Sequence, residues 1–241
     1  MLLGKTNNSR REVKSSMSGT ETNSKRVLSP KERRQRNREE MIAAILDAAR
    51  SVMREEGVAA LNLHEVARRV GLRTPSLYEY FPGKMALYDA LYRFGIRLYA
   101  AGREHLAPIT PLPASFWEHA RGELEHYMTF AQENPELYQL VFERPVPGFV
   151  PSPESLEEGA RILAHSDQIL KQALEQGNLA LGLPPEQARD LFIGMMHGLT
   201  ALHMANEPAL PMGMGRFGSL LPAALALFQT AWSPAAHTKR S

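Results

Sequence analysis

The sequence predicts an all-α protein: an N-terminal three-helix unit containing a helix-turn-helix, joined by a fourth helix to a C-terminal helical half. Three observations carry that expectation. Apolar residues recur at helical spacing through most of the chain, no segment sustains the alternation of a strand, and Pro, Gly and capping residues fall where helices of ordinary length would start and stop.

Residues 1–28 are rich in Ser, Thr, Asn, Lys and Arg with hardly an apolar residue, so they bury too little surface to offset ordering and are expected to be a disordered basic arm. "SPKE" at Ser29–Glu32 offers a capping box with proline at the first helical position, and "NREE" at Asn37–Glu40 a second possible start. From there Ile42, Ile45, Leu46, Ala49, Val52 and Met53 form one stripe until Gly57. "NLHE" at Asn62–Glu65 is another capping box, opening a short helix through Val70 that stops at Gly71. Thr74 is expected to cap a third helix with Pro75 at its first position, ended by Pro82 and Gly83. Leu87, Leu91, Phe94 and Leu98 mark a fourth. After prolines 108, 111 and 113, helical patterns return over Ser115–Asn134, Pro135–Phe142, Pro153–Gln176, Pro185–Ala205 and about Phe217–Trp232. The proline-rich "ERPVPGFVPSP", Glu143–Pro153, is a loop between them. The expected organisation is therefore an arm (1–28), a helix-turn-helix domain (29–84) and a helical second domain (85–241).

With 44% hydrophobic residues in 241, the chain can bury a substantial core. The absence of cysteine excludes disulfides, thiolate zinc sites and a cysteine nucleophile. No apolar run approaches the length of a membrane helix and the start has no apolar signal segment, so a soluble, cytoplasmic protein with no membrane partner is expected. The net charge of +2 hides a division: residues 1–100 hold 19 Lys and Arg against 11 Asp and Glu, and the remainder 9 against 15. A polyanion-facing first half explains this, and so does a solvated basic tail.

The stretch "RTPSLYEYFPGK", Arg73–Lys84, is unusual for so short a segment in carrying three rings and two phenol hydroxyls. At roughly 100° per residue, Leu77 and Phe81 point inward, Pro75, Ser76 and Glu79 point outward, and Tyr78 and Tyr80 fall on opposite flanks. A recognition helix in a major groove lies between two phosphate backbones, where flanking hydroxyls are placed to donate while their rings stay packed. Ala67 at the helix crossing, Gly71 in the turn and Leu77 reaching back to the core fit a helix-turn-helix.

On these residues, and on "LNLHEVARRVGLRTPSLYEYFPGKMAL" as a whole, Gly57 to about Leu91 resembles the DNA-binding domain of the tetracycline-repressor (TetR) family. The resemblance implies phosphate contacts by Tyr78 and Lys84, and base or groove contacts by Thr74, Pro75 and His64. Asn62 stands where the family usually has a threonine cap, an exchange that capping accepts. Arg73 replaces a common serine and has two readings, a phosphate contact or a fork onto guanine. Ser76 lies on the outward face, Tyr80 is either half-buried packing or a contact, and Glu79 either accepts from a cytosine amine or faces solvent.

In the second half, "NPELYQLVF" (Asn134–Phe142) and "MMHGLTAL" (Met195–Leu202) resemble a WHG-type regulatory domain, with Met196 in place of its tryptophan. The family architecture implies a homodimer through the last two helices and a pocket for a small apolar or amphipathic ligand. Stripes of Leu191, Phe192, Met195 and Leu199, and of Leu220, Leu221, Leu225, Phe228 and Trp232, fit that interface or plain core. Tyr127, Phe130, Phe142, Phe192, Met195, Met196 and His197 are candidate pocket walls, with plain core as the alternative for each. No H-E-x-x-H spacing occurs among the eight histidines, and neither metal nor cofactor is expected.

The implied function is a DNA-binding regulator, a repressor released from a palindromic operator by a ligand. Three rivals differ in class. Catalysis lacks a nucleophile elbow, a phosphate loop or a dinucleotide fingerprint; a nonspecific DNA-packing protein has little use for a large acidic helical half; a protein-interaction bundle would make the helix-turn-helix merely structural.

Overall fold

Ser29 starts the first helix by reciprocal capping: its N–H donates to Glu32 Oε2 at 2.7 Å, and the Glu32 N–H donates to Ser29 Oγ at 3.2 Å. The first of the two possible starts is used, and α1 runs Pro30–Glu56. The computed structural model describes residues 29–106, 113–211 and 213–234. It divides into two units, Met1–Glu39 and Glu40–Ser241. The expected basic arm lies outside the described residues, as does most of the proline-rich bend after Leu106; Ser29–Glu39 is exposed throughout.

Within the second unit, α2 spans Leu63–Arg69, α3 Thr74–Leu77 and α4 Lys84–Gly102. Ile45, Val52, Val66, Ala67, Leu77, Leu87 and Leu91 are at most 1% exposed in one shared core, which fixes the inward faces of α1 to α4 together. Gly71, at φ 70°, takes the left-handed conformation of the turn and lets the Leu72 N–H reach Ala67 O at 2.9 Å.

Three local expectations are corrected. The second capping box does not form: Asn62 caps the helix by accepting from the His64 N–H instead of that of Glu65, and the Glu65 carboxylate accepts from Arg68 and Arg69, whose charges outcompete a backbone amide. Thr74 does not cap α3; Arg73 occupies the cap position and Thr74 is already helical. The α3 helix also ends earlier than expected, at Leu77, where the chain leaves the α-helical bond pattern. Tyr78 to Tyr80 tighten into bonds three residues apart, such as Tyr80 N–H to Leu77 O at 3.0 Å.

Leu98 departs from the expected α4 stripe and is 38% exposed. The buried face turns instead through Tyr88, Tyr92, Gly95, Ile96 and Tyr99, because α4 packs on the helix-turn-helix with its first half and on the C-terminal half with its second. Gly95 marks the change of partner: a Cβ there would stand 2.9 Å from Val141 Cγ2 and 3.5 Å from Leu137 Cβ.

The C-terminal helices are α5 (Pro113–Glu133), α6 (Pro135–Tyr138), α7 (Pro153–Glu175), α8 (Pro185–Asn206), α9 (Gly215–Gly218) and α10 (Leu221–Ala231). The segment expected as one helix over Pro135–Phe142 is α6 running into a π-helical turn, Gln139–Glu143, closed by the Arg144 N–H on Gln139 O at 2.8 Å. The last expected helix is split, with Pro222 in the first turn of α10. No described helix is long and apolar enough to cross a membrane.

One ion-pair cluster ties α1 to α6. Arg50 Nε reaches Glu136 Oε1 at 2.8 Å, Arg54 Nε reaches Glu136 Oε2 at 2.6 Å, and Arg50 Nη2 donates to Asn134 Oδ1 at 2.9 Å. The Glu136 side chain is 1% exposed and that of Arg50 16%, whereas that of Arg54 is 45% exposed. Removing the carboxylate strands a mostly buried guanidinium, so Glu136→Ala is expected to lower unfolding stability by about 3 kcal/mol in urea titrations. Arg54→Ala, at a largely solvated partner, is expected to cost about 1 kcal/mol or less. Equal losses for the two variants would contradict this assignment.

Candidate functional site

The outward side of α3 carries the chemistry of a polyanion surface. Pro75 and Glu79 are exposed, Ser76 is half-buried, and Leu77 and Phe81 are 1% and 8% exposed, so the predicted inward and outward faces are in place. Tyr78 is 50% exposed, more open than the packed ring expected of it, and its hydroxyl has no partner among the described residues. Tyr80 on the other flank is half-buried. Asn62 and His64 are exposed at the start of α2, and His64 Nδ1 lies 3.1 Å from Thr74 Oγ1, joining α2 to α3 through two of the expected groove residues.

Charge pairing sharpens this surface. Between residues 40 and 100 Arg50, Arg54, Arg68, Arg69, Arg93 and Arg97 are all ion-paired. The two remaining cations, Arg73 and Lys84, have no carboxylate partner among the described residues, and they bracket α3. The Lys84 ammonium donates to Ala59 O at 3.1 Å and sits 5.6 Å from the Tyr88 ring centroid. An ammonium has three donors, so two remain for an anion.

A second site lies in the C-terminal half. A cavity of about 710 Å³ is walled by α4, α5, the π turn, α7 and α8, a size that suits a small-molecule ligand. Of the expected wall residues, Tyr127, Phe142, Phe192, Met196 and His197 line it. Phe130 and Met195 do not. Phe130 is 3% exposed in the core, its ring 5.4 Å from that of Tyr99. On α8 the wall is made by Arg189, Asp190, Phe192, Ile193, Gly194, Met196 and His197, and helical spacing turns Met195 away from that face.

Sequence reasoning missed several wall residues: Tyr92, Ile96 and Tyr99 of α4, Phe116, Trp117 and Glu123 of α5, and Arg103, Arg144 and Trp232. The breadth of the apolar face of α4, too wide for one packing partner, was the available signal. Arg103 forks onto both Glu123 oxygens and donates to Ser166 Oγ at 3.2 Å, with His119 Nε2 3.5 Å from Glu123. Burial alone would raise the Glu123 pKa, but hydrogen bonds from His119 and Arg103 outweigh it and hold the carboxyl below its ordinary value. Burial pushes the Tyr127 and Tyr99 phenols up, and the Tyr127 hydroxyl lies in hydrogen-bond contact with His197 Nδ1 at 2.9 Å.

Known proteins resemble this chain in both parts. The pattern described as bacterial regulatory proteins of the tetR family matches residues 45–91, and the tetracyclin repressor-like C-terminal domain matches residues 121–217. The HTH-type transcriptional regulator SrpR of Pseudomonas putida is 25% identical over 191 residues, 76% of this chain and 86% of that protein. The HTH-type transcriptional activator FasR of Mycolicibacterium smegmatis is 26% identical over 160 residues, 66% of this chain and 68% of that protein. Among solved structures, the transcriptional regulator FadR from Bacillus subtilis in complex with stearoyl-CoA shares the fold with a TM-score of 0.57. It is 17% identical, over 78% of this chain and 98% of that one.

Because the folded state holds Glu123 ionised more firmly than the unfolded chain does, this carboxyl stabilises the fold above its unfolded pKa of about 4.3, and the contribution is lost as pH falls through the lower folded value. The stability difference between wild type and Glu123→Gln, measured in urea at several pH values, is expected to be full at pH 7 and to shrink below about pH 4. A difference independent of pH would contradict the ionised pairing.

Proposed function

This chain belongs to the tetR family of bacterial regulatory proteins and is a DNA-binding transcriptional regulator; from that premise we propose that it is a homodimeric repressor, released from a near-palindromic operator by a small apolar or amphipathic molecule in the cavity. The observation that carries this reading is that α4 serves both sites. Lys84 stands at its first residue beside α3, while Tyr92, Ile96 and Tyr99 wall the cavity further along. A helix of 19 residues spans roughly 28 Å at about 1.5 Å per residue, so a ligand that moves its far half moves the recognition element.

In this reading Tyr78, Lys84 and Arg73 hold phosphates, with Tyr80 and Ser76 at the flanks, while Thr74, Pro75, His64 and Asn62 approach the groove. Arg73 retains its second role as a fork onto guanine, and the arm at residues 1–28 adds counterion release. Dimerisation is supported by a face of α8 and of α10 with its cap residue Leu220 that is apolar yet open: Leu191 is 55%, Leu202 45%, Leu220 44% and Leu227 72% exposed. A second copy covering it would set two recognition elements about one helical turn of DNA apart, roughly 34–36 Å. The partners are thus operator DNA, a second copy of the chain and the ligand.

Footprinting and gel shifts on the DNA upstream of its own gene test this reading. Two chains per protected site are expected, and one chain per site would overturn the dimer. Tyr78→Phe is expected to weaken operator binding by about 1 kcal/mol, the scale of one hydrogen bond, with little change in melting temperature. Lys84→Ala is expected to weaken specific and nonspecific DNA alike and to lower the slope of log K against log salt by about 0.9. An unchanged slope with altered base preference would remove Lys84 from the phosphate set.

A further inference from the structure

The cavity wall carries cationic side chains that its apolar, aromatic lining does not explain. Three arginines line it. Arg103 is neutralised by Glu123 and Arg189 is shared by Asp167 and Asp190. Arg144 differs from both: no carboxylate pairs with it among the described residues, and its guanidinium lies 5.9 Å from the Tyr92 ring centroid at the cavity wall. Nearby acids are occupied or turned away. Glu158 and Glu157 on α7 are paired with Arg97 and Arg161, and Glu143 lines a separate recess with Pro135 and Tyr138.

The backbone at Arg144 is also exceptional. At φ 51° it is the one non-glycine among the described residues in the left-handed region, a conformation with a cost that surrounding structure must impose. Here the π turn imposes it, through the Arg144 N–H on Gln139 O, and the same turn carries Val141 and Phe142 into the cavity wall. The site thus holds an exposed, uncompensated cation at the mouth of an apolar, aromatic chamber.

We infer that the ligand is an amphiphile with an anionic head, held at the rim by Arg144, and an apolar body that fills the chamber toward Trp117 and Trp232. This rests on the reading of the cavity as the regulatory site and assigns its charge preference. A guanidinium binds carboxylate or phosphate by charge-assisted hydrogen bonds. A cationic head would be repelled, and a neutral head would forgo that bond while keeping the apolar contacts.

The chain has two tryptophans, both on the cavity wall with ring centroids 6.3 Å apart, so their emission reports occupancy. The test titrates full-length protein with dodecanoate, dodecanol and dodecyltrimethylammonium, which share a tail and differ in head. Dodecanoate is expected to bind tightest and the cation weakest. Arg144→Asn removes the charge while keeping a residue that tolerates the left-handed backbone. It is expected to weaken dodecanoate about tenfold and leave dodecanol unchanged. Equal binding of dodecanoate and dodecanol, unaltered by R144N, would overturn the head-group assignment while leaving the cavity as an apolar ligand site. An equal loss for both would show that R144N disturbs the chamber and would also overturn it. Silence of the tryptophans to all three would remove the ligand reading itself.

Discussion

One buried carboxylate, Glu136, joins the two working parts of this protein. It takes a guanidinium of α1 on each oxygen, from Arg50 and Arg54, and lies three residues before the π turn whose Val141 and Phe142 wall the cavity. Across the same segment, Gly95 lets α4 approach Leu137 and Val141 without a side chain between. The helix-turn-helix is therefore held against a cavity wall by an ion pair on one helix and close packing on another. Magnitude decides how this junction behaves. Breaking a buried pair costs about 3–5 kcal/mol, more than the 1–3 kcal/mol typical of coupling between sites. In the proposed switch, a shift of the wall would therefore be transmitted through the intact junction rather than by rupturing it.

The charge division of the sequence takes on a different meaning in this light. Most cations of residues 40–100 are consumed internally, in the α1–α6 junction, in the Glu55–Arg69–Glu65–Arg68 chain across α2, and in the contacts of α4 with α7. What remains without a carboxylate partner, Arg73 and Lys84, is local to α3. Net charge alone overstates the basic surface, whereas the pairing pattern localises it.

The helix-turn-helix was legible because its signals are local. A cap, a left-handed glycine, a proline at a helix start and an alternation of inward and outward residues each act within a turn or two, as Ser29, Gly71 and Pro75 illustrate. The errors there came from competition between local partners, Glu65 choosing arginines over an amide and residues 78–80 choosing carbonyls three residues back over those four back. The cavity was half legible. Tyr127, Phe142 and Met196 were found from apolar character, but whether an apolar side chain faces a void or a neighbour depends on packing between distant helices, which misplaced Phe130 and Met195. Arg50, Arg54, Glu136 and Arg144 were invisible for the same reason, since a charged residue in isolation reads as solvated surface.

The coupling between cavity and recognition helix is tested most directly by measuring the dodecanoate affinity of the protein free and bound to its operator, using tryptophan emission. The account predicts weaker binding to the operator complex, by the same factor by which saturating dodecanoate weakens operator affinity, since binding linkage is reciprocal. Equal affinity in the two states would contradict it, because a ligand without preference between states shifts neither.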